Sequence, residues 1–558
     1  MAEISAEGAD GAKKPTSLRT VVAASAAGTA FEWYDFFVFG SLAQVVSKVF
    51  FSNLNPTAGY IAALALFGAG FAFRPLGALV FGRIGDRLGR KGAFLGTVGL
   101  MGGATFAIGL LPTYAQVGLL APALLVLMRI LQGFALGGEY GGAAIYVAEH
   151  APAGARGRST SWVQTSAAFG LAGALLVILG TRLVVGTYFG PDAFDAWGWR
   201  IPFLVSAGLL AISIWMRLKL SESPAFLQMK AEGTASKAPF SEAFGQWKNL
   251  KVVLLALVAI MFAQGAVWYC TFFYSQTFME KFLKVPPATI NLLMMGATVA
   301  SAVLYVVFGA LSDRIGRKKV MLAGMVLALV AFFPGFHMLA KTLNPALAEA
   351  EARTPIVVVA DPATCSLQFD PVGKASFVTS CDIAKSTLAN AGVSYSNQAG
   401  PAGSVAQIRI GEAVVPSRDA QALPPAEAKA VKAEVEAAIK AGLAAGGYPA
   451  AADPERWNLL GAFGVLMIFV VAACALYGPM AACLVEMFPT RIRYTAMSLP
   501  YHIGTGWVGG FVPFTAFAIV AGVGDIYSGL WYPFAFTALS VVTCFFLLPE
   551  TKDRPLDQ

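Results

Sequence analysis

Gly82-Arg-Ile-Gly-Asp86-Arg87-Leu-Gly-Arg90-Lys91 and Leu311-Ser-Asp313-Arg314-Ile-Gly-Arg317-Lys318-Lys319 decide the fold. Each follows a long apolar run, and Asp86 and Asp313 stand 227 residues apart. A second pair of markers repeats as well. Glu149 precedes Arg156, and Glu486 precedes Arg493, by the same seven residues. Glu149 and Glu486 are 337 apart, so 110 extra residues entered the later copy between the two markers. The polar stretch 342–456 accounts for them. The chain therefore reads as a duplicated unit carrying one large insertion.

What was duplicated follows from composition. The 558 residues are 57% hydrophobic and 13% charged, with a mean hydropathy of +0.65. Soluble domains carry roughly 25% charge, so the surplus apolar residues belong in a bilayer. Disorder is excluded for most of the chain, since it needs low hydrophobicity. Apolar runs of spanning length lie near 21–50, 57–81, 92–112, 117–148, 160–186, 199–218, 251–278, 288–311, 320–340, 457–485, 495–522 and 528–548. The expected fold is all-α, with twelve transmembrane helices in two six-helix bundles. A β-barrel would show alternating segments of about ten residues instead.

The domain plan is a tail 1–20, a first bundle 21–218, a linker 219–250, helices seven to nine in 251–341, the insertion 342–456, helices ten to twelve in 457–548, and a tail 549–558. The Lys and Arg of the tails and of the loops after the even-numbered spans outnumber those opposite, namely Lys48, Arg182, Arg200, Lys281 and Lys284. Cytoplasmic loops collect such residues, so both termini are expected inside and the insertion outside. The polar first 20 residues, with Lys13, Lys14 and Arg19, read as no cleavable signal. The +8 net charge belongs to these loops and does not imply nucleic acid. The insertion mixes strand-like runs (Ile356-Val-Val-Val and Val405-Ala-Gln-Ile-Arg-Ile) with a helical run near 425–445, a small mixed α/β unit. Cys365 and Cys381 lie there, while Cys270, Cys474, Cys483 and Cys544 lie in spans. An oxidising outer compartment favours a Cys365–Cys381 disulfide over two free thiols.

Several stretches resemble the metabolite:proton symporter branch of the major facilitator superfamily. They are Phe31-Glu-Trp-Tyr-Asp35-Phe-Phe, Phe73-Arg74-Pro75 with the loop motif that follows, Arg129-Ile-Leu-Gln132-Gly-Phe-Ala-Leu-Gly-Gly-Glu139-Tyr140, and Tyr477-Gly-Pro-Met-Ala-Ala-Cys-Leu-Val-Glu486-Met-Phe-Pro-Thr-Arg491-Ile-Arg493-Tyr494. The branch includes carriers of α-ketoglutarate, citrate, shikimate, and proline or betaine. The resemblance implies that Asp86, Arg87, Arg90, Asp313, Arg314 and Arg317 latch the halves together on the cytoplasmic side. Glu149, Arg156, Glu486 and Arg493 join that expected gating network. Insertion of this size departs from the branch's best-known members.

A charge at mid-bilayer costs about 2.5–3.5 kcal/mol on the insertion scale, so the acids and arginines inside spans are candidates for function. On the first span Ser25, Thr29, Glu32 and Phe36 share a face, bordered by Asp35. On the fourth, Arg129, Gln132, Leu136, Glu139 and Tyr140 form one stripe. Burial disfavours an ionised carboxylate while a neighbouring arginine favours it. An anionic substrate can then replace a protonated carboxylate as the arginine's partner, which couples the two. The alternative is permanent ion pairs that hold helices together. Glu32, Asp35 and Glu139 are the expected proton-coupling acids. Tyr34, Arg74, Arg129, Gln132 and Tyr140 are the expected substrate contacts, with Gln264, Trp268 and Tyr269 of the seventh span. Thr271 and Ser275 continue that milder stripe, whose alternative is interhelical packing; Tyr501 and His502 are weaker candidates.

Gly504-Thr-Gly506-Trp-Val-Gly509 matches a dinucleotide pattern, but it follows no strand and reads as helix packing. No nucleotide-phosphate loop or metal-spaced Cys/His cluster appears, and no cofactor beyond the proton is expected. The resulting expectation is a monomeric, proton-coupled uptake carrier of a small organic acid or zwitterion in a bacterial-type inner membrane. A proton-antiport exporter and a transporter-like sensor are the alternatives.

Overall fold

The computed structural model describes residues 17–52, 66, 70–366 and 377–556. Most of the expected tail 1–20, and all but Leu66 of the stretch 57–69 in the second expected span, lie outside the described residues. The first half contains α1 (Leu18–Ser41), α2 (Arg74–Arg87), α3 (Arg90–Leu110), α4 (Leu120–His150), α5 (Arg156–Phe189) and α6 (Arg200–Leu218). The second half opens with α7 (Trp247–Phe282), α8 (Pro287–Ile315) and α9 (Arg317–Leu343). The intervening segment holds α10 (Pro345–Arg353), α11 (Ser380–Ala391) and α12 (Pro425–Ala445). The chain then returns to the bundle with α13 (Leu459–Met487), α14 (Arg493–Val523) and α15 (Trp531–Leu547). Among the described residues, α3 to α9 and α13 to α15 are the ten helices long and apolar enough to cross a membrane.

Two local departures from the expected helices have physical causes. The first span does not run unbroken from 21 to 50. It breaks at Leu42, whose N–H is shared between the carbonyls of Val38 and Phe39, and resumes as Ala43–Phe50. Gly40 beside the break weakens the helix there. The long helix α7 is interrupted by wide π turns at Leu257–Met261, Cys270–Tyr274 and Phe278–Phe282, and α14 contains one at Ile503–Gly509. Such turns recur at functional sites because they re-aim side chains within an otherwise regular helix. The glycines of the apparent dinucleotide pattern lie in this α14 turn. A Cβ at Gly265 of α7 would stand 2.1 Å from the Gly504 carbonyl, so the two helices pack backbone to backbone there.

The halves meet where α2 packs on α14 and where α5 packs on α8 and α13. The segment between α9 and α13 folds into a small mixed unit whose buried residues run on into the hydrophobic core of the second half. Strands β1 (Ile356–Ala360), β2 (Ser396–Ala399), β3 (Gln407–Ile410) and β4 (Ala413–Pro416) make one sheet in the order β2-β1-β3-β4. β1 pairs with β2 in parallel and with β3 antiparallel. Ile408 and Ile410 of β3 are buried, as are Val435 and Ile439 of α12. Cys365 and Cys381 are disulfide-bonded, with Cα atoms 5.2 Å apart. The segment rests on the second half alone among the contacts described. The Lys284 amine donates to Asn390 at 3.0 Å, Tyr395 N–H to Gly524 at 2.7 Å, and the Asn397 amide to Val523 at 2.6 Å. It enters and leaves at one point, where the Asn458 N–H donates to the Thr342 carbonyl at 2.8 Å.

Candidate functional site: an interhalf latch and a central aromatic chamber

The two repeated loops turn on Gly89 and Gly316, both at positive φ (120° and 110°), which only glycine adopts without strain. In each loop an Asp and an Arg four residues on form an ion pair. Asp86–Arg90 and Asp313–Arg317 both close at 2.5 Å. Each Asp also reaches across to the other half and caps a helix start there. Asp86 accepts from the N–H groups of Tyr494 and Thr495 at 3.1 and 2.8 Å, at the head of α14. Asp313 accepts from Gly157 and Arg158 at 2.9 and 2.8 Å, at the head of α5. A carboxylate at a helix N-terminus satisfies orphan N–H groups and complements the helix dipole. The latch is therefore a reciprocal capping of helices.

The Glu149 and Glu486 pairs cross the halves too. Glu149 binds Arg493 at 2.7 Å and lies 3.6 Å from Arg90. Glu486 binds Arg317 at 3.2 Å and lies 3.6 Å from Arg156. Arg90 adds a hydrogen bond to the Thr490 carbonyl at 2.6 Å, and Arg493 one to Leu556 at 2.7 Å. Arg87 and Arg314, expected in the same network, are exposed and stand outside it. Each is the residue after the capping Asp, in the last turn of its helix.

Four residues of this latch escaped sequence reasoning. Glu222 accepts from the N–H groups of Arg90 and Lys91, while Ser223 donates to Glu149. Glu550 accepts from the N–H groups of Arg317 and Lys318, while Thr551 donates to Glu486 at 2.9 Å. The signal was available: a Glu followed by a hydroxyl residue stands just beyond the last span of each half.

Toward mid-bundle the residues separate into two groups. On the α1–α6 side, Glu32 pairs with Arg217 at 2.9 Å, and Asp35 accepts from the Ser206 hydroxyl at 2.6 Å. Tyr34 donates to the Pro202 carbonyl at 2.8 Å. The structure thus turns Tyr34 and both acids toward α6. Arg217 escaped notice because it sits at the end of a span and reads as one of the basic loop residues.

On the other side lie Arg74 and Arg129. The Arg74 guanidinium stands 4.1 Å from the Phe71 ring centre and 5.0 Å from that of Phe36. Arg129 stands 4.2 Å from the Phe39 ring centre and donates to Gln132 at 2.8 Å, while Gln132 donates to Thr105 at 2.7 Å. Among the described residues no carboxylate forms an ion pair with Arg74, and its Nε and Nη2 make no hydrogen bond although it is buried. Aromatic faces hold a desolvated cation through their quadrupoles, worth about 2 kcal/mol or more away from water.

Around Arg74 the second half contributes phenols. Tyr269, Tyr477 and Tyr501 lie within electrostatic reach of its guanidinium. Tyr501 stacks on Tyr140 with ring centres 3.8 Å apart, and its hydroxyl meets that of Tyr477 at 3.2 Å. Gln164 donates to Tyr140 at 2.6 Å, and Trp268 to Tyr305 at 3.0 Å. Glu139, Gln264 and His502 are buried with polar atoms that find no hydrogen-bond partner. The chamber thus joins one cation with free donors and several aromatic faces at the junction of the halves. Tyr305, Tyr477 and the stacking role of Tyr501 emerge only from the packing of α8, α13 and α14.

Comparison with known proteins bears on the family and the fold. The model of the family described as "Sugar (and other) transporter" matches residues 20–242 and 439–558, and that of the "Major Facilitator Superfamily" matches 264–348. The proline/betaine transporter of Salmonella typhimurium is 36% identical over 352 residues, 59% of this chain and 69% of that protein. The shikimate transporter of Escherichia coli is 36% identical over 327 residues, 58% of this chain and 72% of that protein. A crystal structure of the proton:xylose symporter XylE superposes with a TM-score of 0.59 at 16% identity, over 97% of this chain and 98% of that one. At that identity the likeness speaks for the fold alone. A double-tryptophan mutant of XylE gives a TM-score of 0.63. Fold, repeated latch and family matches converge: the chain belongs to the sugar (and other) transporter family of the major facilitator superfamily.

Proposed function

We propose that this transporter carries a small organic acid or a zwitterion inward together with protons, by alternating access between its two halves. The carrying observation is the buried Arg74 guanidinium, with Nε and Nη2 unbonded, facing the phenols of Tyr269, Tyr477 and Tyr501 across the junction. A substrate carboxylate satisfies those donors, and the aromatic faces suit an apolar or cationic remainder of the same molecule. The names of the relatives, proline/betaine and shikimate transporters, fit a carboxylate-bearing solute. Proton coupling is supported by the buried acids Glu32, Asp35 and Glu139, with Arg129, Gln132, Tyr140, Gln264 and Trp268 completing the chamber. In this reading twelve helices span a bacterial inner membrane, with the latch and both termini cytoplasmic. The segment 342–456 lies outside, the working unit is a monomer, and no cofactor takes part.

Uptake of labelled proline, betaine, shikimate and α-ketoglutarate into proteoliposomes, with and without an inward proton gradient, tests this. At least one is expected to accumulate only with the gradient, and Arg74→Gln to abolish that accumulation. Accumulation of none, or gradient-driven efflux, would replace the reading.

A further inference from the structure

The segment between α9 and α13 supplies the caps for two helices of the second half. α14 starts at the latch and ends at Val523, and the last carbonyls of a helix lack partners within it. Here the inserted segment provides them. The Tyr395 hydroxyl donates to Ala521 at 2.5 Å, the Asn397 amide to Val523 at 2.6 Å and to Gly522 at 3.4 Å, and the Lys385 amine to Gly522 at 3.4 Å. An ammonium at a helix C-terminus also complements the helix dipole. Gly524, at φ 98°, lies so close that a Cβ there would stand 2.1 Å from the Tyr395 carbonyl.

α7 is held at its end in the same way. The Asn344 amide donates to Leu283 at 3.0 Å, while its oxygen accepts from the Leu347 N–H, at the head of α10, at 3.1 Å. Lys284 adopts φ 58°, a left-handed conformation uncommon for a residue with a Cβ. The inserted segment fixes it from both sides: its amine donates to Asn390 at 3.0 Å, and its carbonyl accepts from the Ala452 N–H at 3.2 Å. Gly392, which closes α11, abuts the same stretch, since a Cβ there would stand 2.4 Å from the Lys281 carbonyl. Helix α11 and strand β2 after it thus touch the ends of both α7 and α14.

Both helices are interrupted by π turns, which leaves each less regular than a plain α-helix. One such turn begins one residue after Tyr269, and another begins two residues after Tyr501. The helices meet at Gly265 and Gly504, and again where a Cβ at Gly509 would stand 2.4 Å from the Tyr269 ring. Tyr269 and Tyr501 are two of the chamber's phenols.

We propose that the inserted segment is a brace that sets how α7 and α14 lie together, and through them where Tyr269 and Tyr501 stand in the chamber. This rests on the chamber as the solute site. Tyr395 and Asn397 are positioning residues that act through α14, and Asn344 acts through α7.

Native Cys270, buried next to Tyr269, reports on this wall without any solute. Its reaction with N-ethylmaleimide is followed in the full chain with Cys474, Cys483 and Cys544 replaced by Ala. Tyr395→Phe removes only a hydroxyl, and Asn397→Asp keeps the side chain's shape but turns its donor into an acceptor facing two carbonyls. Cys270 is expected to react about threefold faster in Asn397→Asp and about tenfold faster in the double variant. A latch reporter, Ala155→Cys with Cys270 also replaced by Ala, is expected to keep the parental rate in both. For whichever of the four solutes named above accumulates, the double variant is expected to raise KM about tenfold and to change kcat by less than about twofold. Parental Cys270 rates in both variants overturn the brace. Equal acceleration at Ala155→Cys overturns it too, because that marks general loosening, and an unchanged KM beside a faster Cys270 severs the link to the chamber. Asn397 is exposed, so Asn397→Asp alone decides the matter should the double variant fail to fold. If the thiol rates behave as expected and none of the solutes is transported, the brace stands and the symport reading falls.

Discussion

The latch is built twice from the same motif, and the two copies are sealed differently. In the first, the Asp86 side chain is fully buried, Arg90 reaches the Thr490 carbonyl, and Tyr494 drives a whole aromatic ring into the facing half. In the second, the Asp313 side chain is 7% exposed. There the backbones themselves meet, for a Cβ at Gly157 would stand 2.5 Å from the Gly309 carbonyl. The first copy holds by an inserted aromatic ring, the second by close backbone approach among small residues, with Ser161 against Gly309 and Ser312 against Gly157. Duplication conserved the capping carboxylate and left the seal beneath it free to differ.

Removing the capping acids one at a time separates the copies most. Asp86→Ala takes the 2.5 Å partner from the buried Arg90 and leaves it only the more distant Glu149, at 3.6 Å, a loss of about 3–5 kcal/mol, whereas Arg317 would keep Glu486 at 3.2 Å after loss of Asp313. Asp313→Ala is expected to cost about 1–2 kcal/mol, closer to a lost helix cap. Thermal unfolding of the two proteins in one detergent compares them directly, and equal losses would erase the distinction.

The slot comes next. Gly142→Ala puts a methyl 2.5 Å from the Tyr494 hydroxyl oxygen. Overpacking of this kind costs about 1–3 kcal/mol. Tyr494→Phe removes the clashing atom, so the double variant is expected to recover most of the stability lost in Gly142→Ala, read by thermal unfolding in the same detergent. Additive losses would mean that the ring does not occupy the slot in solution. The smallest effect is expected from the paired linker acids. Glu222→Gln and Glu550→Gln each weaken a helix cap by about 1 kcal/mol. Their shifts in melting temperature should match, because here the two copies are built alike.

These contrasts also mark what the amino-acid order could reveal. Period and spacing assign residues to helices and faces, which is why the Asp86/Arg90 and Asp313/Arg317 pairs, the stripes of α1 and α4, and the strands at 356 and 407 were legible. They do not say which helices face one another. Glu149 precedes Arg156 by seven residues, yet it binds Arg493, while Arg156 stands near Glu486. Arg74 and Arg129 invited acidic partners, yet rings of α1 and its neighbours surround them. Arg217 reads as a loop charge because it ends a span, and only tertiary packing pulls it under Glu32. The helix α11 was missed because its Ser, Thr and Asn favour turns. Caps at both ends define it: Thr379 accepts from the Asp382 N–H, and Gly392 closes it in the left-handed region.

The joining of Asn458 to Thr342 has a meaning for how such a chain arises and can be handled. Because the segment departs from and returns to the same spot, it behaves topologically as a cassette. Its replacement by a fluorescent module is expected to expose the part of the second-half core it covers and to leave the register of α9 and α13 in place, since chain ends that stay adjacent disturb a scaffold least. The two family-model matches leave 349–438 uncovered, almost the span such a cassette would occupy.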